Sequence, residues 1–266
     1  MWLYYLFAAI IIWLGIISLR GGFRFASYVN SQLAQPLADF TPFATVIVHC
    51  RGREPGLAEN LAALFEQCYP SYEIVFVTDS ESDPSLEVIQ NIVLAKASAI
   101  AARVLIAGPA TESGQKVHNL RAAVGQLDPR SEVLVFVDSD ARPGRNWLRS
   151  LVAPLVDHEL GAATGYRWFV PVNGGLASRV RSSWNASIAS ALGADRKKNF
   201  CWGGSTAIRR ETFVRLNIRE RWQGSVSDDF TMTRVLGEAN LPIHFVPACL
   251  VASPGDCDLG ELLEFS

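Results

Sequence analysis

Cysteine is scarce in this chain and shows no pairing pattern. Five residues (Cys50, Cys68, Cys201, Cys249 and Cys257) are scattered over 266 positions, an odd number with no close metal-ligand spacing. That argues against a disulfide framework and fits reduced thiols packed as small hydrophobes in a cytosolic domain. The four histidines are equally dispersed, so no zinc site is readable. Net charge is also small, −2 with an isoelectric point near 6.1, and nothing marks the whole chain as a nucleic-acid binder. Internal repeats and low-complexity tracts are missing as well. Hydrophobic residues, by contrast, make up 49% of the chain, and the mean hydropathy of +0.17 is high for a purely soluble enzyme.

Much of that excess sits at one end. Residues 2–19, "WLYYLFAAIIIWLGIISL", carry no charged side chain. As a helix rising ~1.5 Å per residue they would cover roughly 27 Å, close to the ~30 Å hydrocarbon core of a bilayer. No basic region precedes the run and no small-residue cleavage site closes it, which favours an uncleaved anchor over a signal peptide. Arg20 and Arg24 follow, and the positive-inside rule then places the remainder in the cytoplasm. The expected organisation is a transmembrane anchor over 1–20, a partly amphipathic juxtamembrane connector over 21–42, one α/β domain over 43–255 with halves meeting at 143/144, and a tail over 256–266. A chain of this length suffices for one sizeable domain with extras.

Within 43–143 apolar strands alternate with helical patterns. "ATVIVHC" (44–50), "EIVFVTDS" (73–80), "RVLIAG" (103–108) and "VLVFVDSD" (133–140) read as buried strands. Between them, "LAENLAALFEQC" (57–68), "SLEVIQNIVLAKASAIAA" (85–102) and "KVHNLRAAVGQL" (116–127) read as helices. Such alternation predicts a mostly parallel sheet with right-handed crossovers, which binds ligands beyond the carboxyl ends of its strands. Asp79, Asp138 and Asp140 fall on that edge. The second half is less regular. It offers a helix broken by Pro154, a strand in "GAATGYRWFVPV", a helix with Leu176, Val180, Trp184, Ile188 and Leu192 at four-residue spacing, and a glycine-containing turn in "NFCWGGSTAIRRETF". The four-residue stripe suits either a core-facing or a membrane-touching helix face.

Two constellations carry chemistry. In "DSD" an extended backbone aims Asp138 and Asp140 to one side, where like charges repel unless a cation or proton intervenes. Hard oxygen donors favour magnesium, manganese or calcium, and magnesium commonly also binds substrate phosphates. The same tripeptide also occurs in solvated turns. In "SVSDDFTMTRVL" (225–236), Asp228 and Asp229 open a helix. Ser227 or Asp228 suits an N-cap, whereas a carboxylate at a helix start beside a cleft suits a general base; the spacing fits both. Lys116, at the start of a helix, reads as a solvated lysine or as a partner for an anion at the sheet edge. Arg51, Arg53, Arg142 and Arg145 lie in loops near the same edge.

Together "TVIVHCRGREPGLAENLAALFEQCYPSYEIVFVTDSESDPS", "GQKVHNLRAA", "VLVFVDSDARP" and "SDDFTMTR" resemble the family 2 and family 21 glycosyltransferases of the GT-A fold, ceramide glucosyltransferases above all. The resemblance spans about residues 1–255. It implies a nucleotide-binding half over 43–143 and an acceptor half over 144–255. It further implies that Asp79 contacts the nucleotide and that Lys116 lies near it. Asp138 and Asp140 would hold Mn2+ or Mg2+ and the donor diphosphate, Asp228 would bind substrate, and Asp229 would be the base. The implied reaction is inverting transfer of a hexose from a nucleotide sugar, UDP-glucose for example, to a membrane lipid such as ceramide. The family's (Gln/Arg)-x-x-Arg-Trp motif belongs after the acidic pair. Here "RERW" (219–222) precedes that pair and has Ile218 where Gln or Arg is needed, so a truncated chain or impaired turnover is expected. A nucleotide-sugar-binding scaffold, and a transferase acting on polysaccharide or polyprenyl phosphate, are the alternative classes.

Overall fold

The computed structural model of the chain describes residues 1–96 and 100–265. In chain order the elements are α1 (Trp2–Leu33), β1 (Ala44–His49), α2 (Leu57–Leu64), β2 (Tyr72–Thr78), α3 (Ser85–Lys96), β3 (Ala101–Ile106), α4 (Gln115–Val124), β4 (Val133–Asp138) and α5 (Trp147–Val152). There follow β5 (Ala162–Val170), α6 (Leu176–Ala189), β6 (Thr206–Arg209), α7 (Arg210–Arg215), α8 (Ile218–Arg221), α9 (Asp228–Glu238), β7 (Ile243–Pro254) and α10 (Leu259–Phe265). A 3₁₀ turn over Ala153–Val156 continues α5, where Pro154 prevents a longer α-helix.

The strands form one seven-stranded sheet in the order β3-β2-β1-β4-β6-β5-β7. β1, β2, β3 and β4 are mutually parallel, β6 runs antiparallel to both β4 and β5, and β7 is parallel to β5. Central strands of such a sheet are covered on both faces, which is why β1, β2 and β4 are near-continuous apolar runs. Their alternate residues feed two cores. Val46, Val48, Ile74, Phe76 and Val135 pack with Leu57, Leu61, Leu148 and Leu151 on one face. Ile47, Val75, Leu134 and Phe136 pack with Val117, Leu120, Phe213, Trp222 and Leu236 on the other. Cys50, Cys201 and Cys249 are buried among these side chains as free thiols.

Three expectations are corrected. The helix read over 85–102 stops at Lys96, because Ala101 and Ala102 instead pair with Glu73 and Ile74 of β2. Sheet pairing overrides alanine's helical preference there, and part of that reading (97–99) lies outside the described residues. The glycine turn at 199–213 contains a strand, β6, four residues long and inserted between β4 and β5. Its brevity leaves too little alternation to read. β7 was not visible either, since Pro247 interrupts it. The register jumps there from Thr164–Phe245 to Tyr166–Leu250, and the extra residues bulge over Gly165, where a Cβ would collide with the Cys249 carbonyl and the Ser205 hydroxyl.

The N-terminal helix is long and apolar enough to cross a membrane by length and composition, and none of its residues is buried. It runs unbroken through Arg20 and Arg24 to Leu33, so the first part of the stretch read as a connector is helical. There Phe25 stacks 6.1 Å from Phe245 and 6.4 Å from Trp168, and the Tyr28 hydroxyl donates to the Phe245 carbonyl at 2.7 Å. The four-residue stripe divides: Leu192, beyond the end of α6, is buried in the same cluster, whereas Leu176, Val180 and Trp184 on α6 face outward.

Trp222 is the last residue of "RERW" and is fully buried. Its ring lies 5.5 Å from Phe136 and 5.4 Å from Phe213, and its indole N–H donates to the Asp228 carbonyl at 2.9 Å. It therefore joins the second core to the start of α9. Trp222→Ala is expected to cost about 3–5 kcal/mol, as large-to-small core substitutions do. The readout is the denaturant midpoint of the detergent-solubilised protein, and an unchanged midpoint would contradict this packing role.

Candidate active site

Three strands deliver side chains to one edge of the sheet. Asp79 follows β2, His49 closes β1, and Asp138 ends β4 with Asp140 two residues on. Lys116, in the first turn of α4, reaches up to this edge. Its ammonium lies 2.6 Å from Asp138 Oδ1 and 3.3 Å from Asp228 Oδ1. Burial alone would lower the Lys116 pKa, but the Asp138 and Asp228 carboxylates outweigh it and raise it. The lysine is thus a fixed cation, and the solvated-lysine reading is set aside.

The acidic pair divides its labour. Ser227 is the N-cap of α9, its hydroxyl accepting from the Phe230 N–H at 3.2 Å. Because the serine caps, Asp228 is free to turn inward, where it is buried against Lys116. Burial, then the neighbouring Asp229 and Asp138 charges, push Asp228 up to about 6 against the pull of Lys116. Asp229 is half-buried. Its Oδ2 accepts from the Gly203 N–H at 3.1 Å, and its Oδ1 from the Phe230 N–H at 2.8 Å and from the Ser227 hydroxyl.

The Gly203–Gly204 turn before β6 fits between these groups only because it has no side chains. A Cβ on Gly203 would sit 2.6 Å from the Lys116 ammonium and 2.7 Å from Asp228 Oδ2. One on Gly204 would meet the Trp202 ring and lie 2.8 Å from Asp138 Oδ2.

Arg167, from β5, completes the charge arrangement. Its two terminal nitrogens bond Asp140 in a fork at 3.0 and 3.1 Å, and one lies 3.6 Å from Asp138 Oδ2. Glu54 stands beside them and accepts from the Ser139 hydroxyl at 3.5 Å. Burial and then the Asp140 and Asp138 charges raise its pKa. Next to Asp140 opens a cleft of about 570 Å³, lined among others by Glu54, Arg142, Arg167, Phe169 and Arg181.

Asp138 and Asp140 are hard oxygen donors of the kind that suits Mg2+ or Mn2+, and their charges add to burial in raising the pKa of the neighbouring Glu54. Among the described residues no group of three His, Cys, Asp or Glu side chains is arranged to hold a metal. Two carboxylates are a partial shell, which fits an ion whose remaining ligands come from phosphate and water.

Lys116, Asp138, Asp140, Asp228 and Asp229 thus form one connected group. Asp79 stands to its side, half-buried, with Arg51 Nε at 4.0 Å. Between them lies His49, held neutral with a pKa lowered to about 4 by burial and then by Lys116, its Nδ1 2.9 Å from the Asn119 amide nitrogen. Of the loop arginines, Arg142 lines the cleft, whereas Arg53 pairs with Glu87 at the surface. Sequence reasoning missed Glu54, Arg167, Gly203 and Gly204. A charged residue inside the apolar run "GYRWFV" was the one available signal for Arg167, since such a charge requires a partner.

The Asp228 pKa sets a pH test. Folding raises it from 3.8 to about 6, so the folded protein holds this proton more tightly. Its contribution to stability is fully present below about pH 4 and is lost as pH rises through about 6. Asp228→Asn lacks that loss. The stability of the variant relative to wild type should therefore climb between pH 4 and pH 6, by an amount of order 3 kcal/mol at ~1.4 kcal/mol per pH unit. A difference that stays flat in urea titrations across this range would show that Asp228 titrates as an ordinary carboxyl.

Solved structures share this architecture. A mannosyltransferase from Pyrobaculum calidifontis, determined with GDP-Man and Mn2+, matches at 20% identity with a TM-score of 0.60, covering 92% of this chain and 67% of that one. GalNAc-T7, determined with UDP, GalNAc and Mn2+, matches at 16% identity and a TM-score of 0.60, over 82% of this chain and 44% of its own. S. aureus TarS matches at 18% identity and 0.51, over 80% and 36%. The chain spans about two thirds of the first of these proteins and less than half of the other two. At these identities the likeness is one of fold, the GT-A fold. The profile of the family described as Glycosyl transferase family 21 matches residues 2–265, and the chain belongs to that family.

Proposed function

We propose that the protein is an inverting, metal-dependent hexosyltransferase, anchored by α1 with its catalytic domain in the cytoplasm, that moves glucose from UDP-glucose to a lipid hydroxyl such as that of ceramide. The observation that carries this reading is the Lys116 ammonium, shared between Asp138 of the strand-end pair and Asp228 of the helix-start pair. It joins the carboxylates suited to a metal–diphosphate complex to those suited to proton transfer. Family membership and the nucleotide sugars bound by structurally similar proteins support the donor class. The uncharged run over residues 2–19 of α1, followed in the same helix by Arg20 and Arg24, and the outward-facing Leu176, Val180 and Trp184 support a lipid acceptor reached from a membrane.

Each residue then has a task. Asp79, at the edge of β2, contacts the nucleoside. Asp138 and Asp140 would hold a divalent ion, which would supply positive charge to the diphosphate leaving group. Lys116 keeps Asp138 in place and lies close to the same phosphates. Asp228 holds Lys116 from the other side. Asp229 is positioned by the Gly203 and Phe230 amides and remains partly accessible, so it takes the acceptor proton. The acceptor oxygen forms its bond to the anomeric carbon as the bond from that carbon to the diphosphate oxygen breaks. A single displacement of this kind inverts the configuration and releases the nucleoside diphosphate.

Asp229→Asn keeps the size of the side chain and one of its two accepting oxygens but removes its basicity. Transfer from UDP-glucose to ceramide in mixed micelles is expected to fall about 10²–10⁴-fold, with UDP affinity unchanged in calorimetry. Turnover retained at the wild-type rate would falsify the assignment of Asp229 as base. Product analysis with a mixture of membrane lipids in the same assay identifies the acceptor.

A further inference from the structure

The Arg167 side chain engages both members of the aspartate pair. Both oxygens of Asp140 are engaged by its fork, at 3.0 and 3.1 Å, and its second nitrogen lies 3.6 Å from Asp138 Oδ2. The other oxygen of Asp138 belongs to Lys116. The guanidinium is not a chance surface contact. It lies 5.0 Å over the Trp202 ring and 5.6 Å from that of Phe169, its side chain is 20% exposed, and its backbone in β5 pairs with Val251 of β7. A divalent ion that uses both carboxylates therefore competes with a bidentate ion pair. Beyond Arg167 the cleft is open, with Arg142 and Arg181 on its wall, so the side chain has room to turn toward an anion there. A planar guanidinium matches phosphate as well as it matches carboxylate.

We propose that Arg167 is the internal counter-cation of the Asp138–Asp140 pair and couples the metal to the donor: it yields the carboxylates to a divalent ion and takes the donor diphosphate as its new partner. Metal alone gains the carboxylates only by breaking the arginine's fork on Asp140. Metal together with a diphosphate satisfies all the charges at once. Each ligand then raises the affinity for the other by the same factor. Arg167 thereby disfavours loading of the site by a free ion. This inference rests on the donor-site reading above.

The test uses the full chain in detergent, with bound Mn2+ read from the loss of the free-ion electron paramagnetic resonance signal, with and without UDP. In wild type, Mn2+ alone should bind weakly and UDP should strengthen it. In Arg167→Gln, Mn2+ alone should bind about tenfold tighter, because its competitor is gone, and the strengthening by UDP should shrink. Arg167→Lys keeps the charge without the fork and should fall between the two. Arg53→Gln removes an equal charge from the exposed pair with Glu87 and should leave Mn2+ affinity at the wild-type value. Near-ultraviolet circular dichroism checks that each variant is folded. The proposal is overturned if folded Arg167→Gln binds Mn2+ no tighter than wild type while UDP still binds, or if Arg53→Gln tightens Mn2+ equally. If neither wild type nor the variant binds Mn2+ or UDP, the donor-site reading itself fails and the coupling falls with it.

Discussion

The Lys116 ammonium is the contact on which the site depends. It brings together Asp138, at the end of β4, and Asp228, in the first turn of α9, two segments about ninety residues apart in sequence. Four aspartates converge here, Asp138, Asp140, Asp228 and Asp229, with Glu54 beside them, and such a cluster repels itself unless cations are interleaved. Among the described residues, Lys116 and Arg167 are the two cations paired with it. Five carboxyl groups against these two cations leave a negative surplus, which adds to the larger effect of burial in raising Asp228 and Glu54. A surplus of that sign is the electrostatic condition that the proposed metal–diphosphate chemistry requires.

Keeping these charges close demands a particular backbone around them. Gly203 and Gly204 let the turn before β6 pass directly against Lys116, Asp228 and Asp138, where any side chain would force the ions apart. The Gly203 amide also fixes Asp229. On the far side, Trp222 anchors the start of α9 through its bond to the Asp228 carbonyl while its ring packs into the second core. The start of α9 is thereby tied to the burial of Phe136 and Phe213.

The outward-facing parts of the molecule have a separate logic. Phe25 and Tyr28 dock α1 on β5 and β7, close to the buried Leu192 that follows α6. The uncharged run of α1 and the exposed Leu176, Val180 and Trp184 therefore extend from one shared aromatic cluster. The same cluster contains Trp202, over which Arg167 lies. Packing at the base of α1 is in this way continuous with the wall of the cleft.

The parallel half of the sheet was legible because central strands need unbroken β-branched runs, and Val133–Val137 ends in Asp138 as such strands do when they meet a ligand edge. The helix start at Asp228 was legible through its Ser227 cap and its spacing. β6 and β7 were not. One is too short to show a period, and the other is broken by Pro247 at a bulge that exists only because β5 runs alongside. The site divides in the same way. Sequence determined which residues carry charge and at which end of which element they stand, since those are local properties. Tertiary structure alone decided that Lys116 serves two aspartates, that Arg167 covers the strand-end pair, and that Asp228 is buried while Asp229 stays accessible. These depend on distances between elements remote in sequence, and electrostatic energy varies with such distances and with burial rather than with sequence spacing.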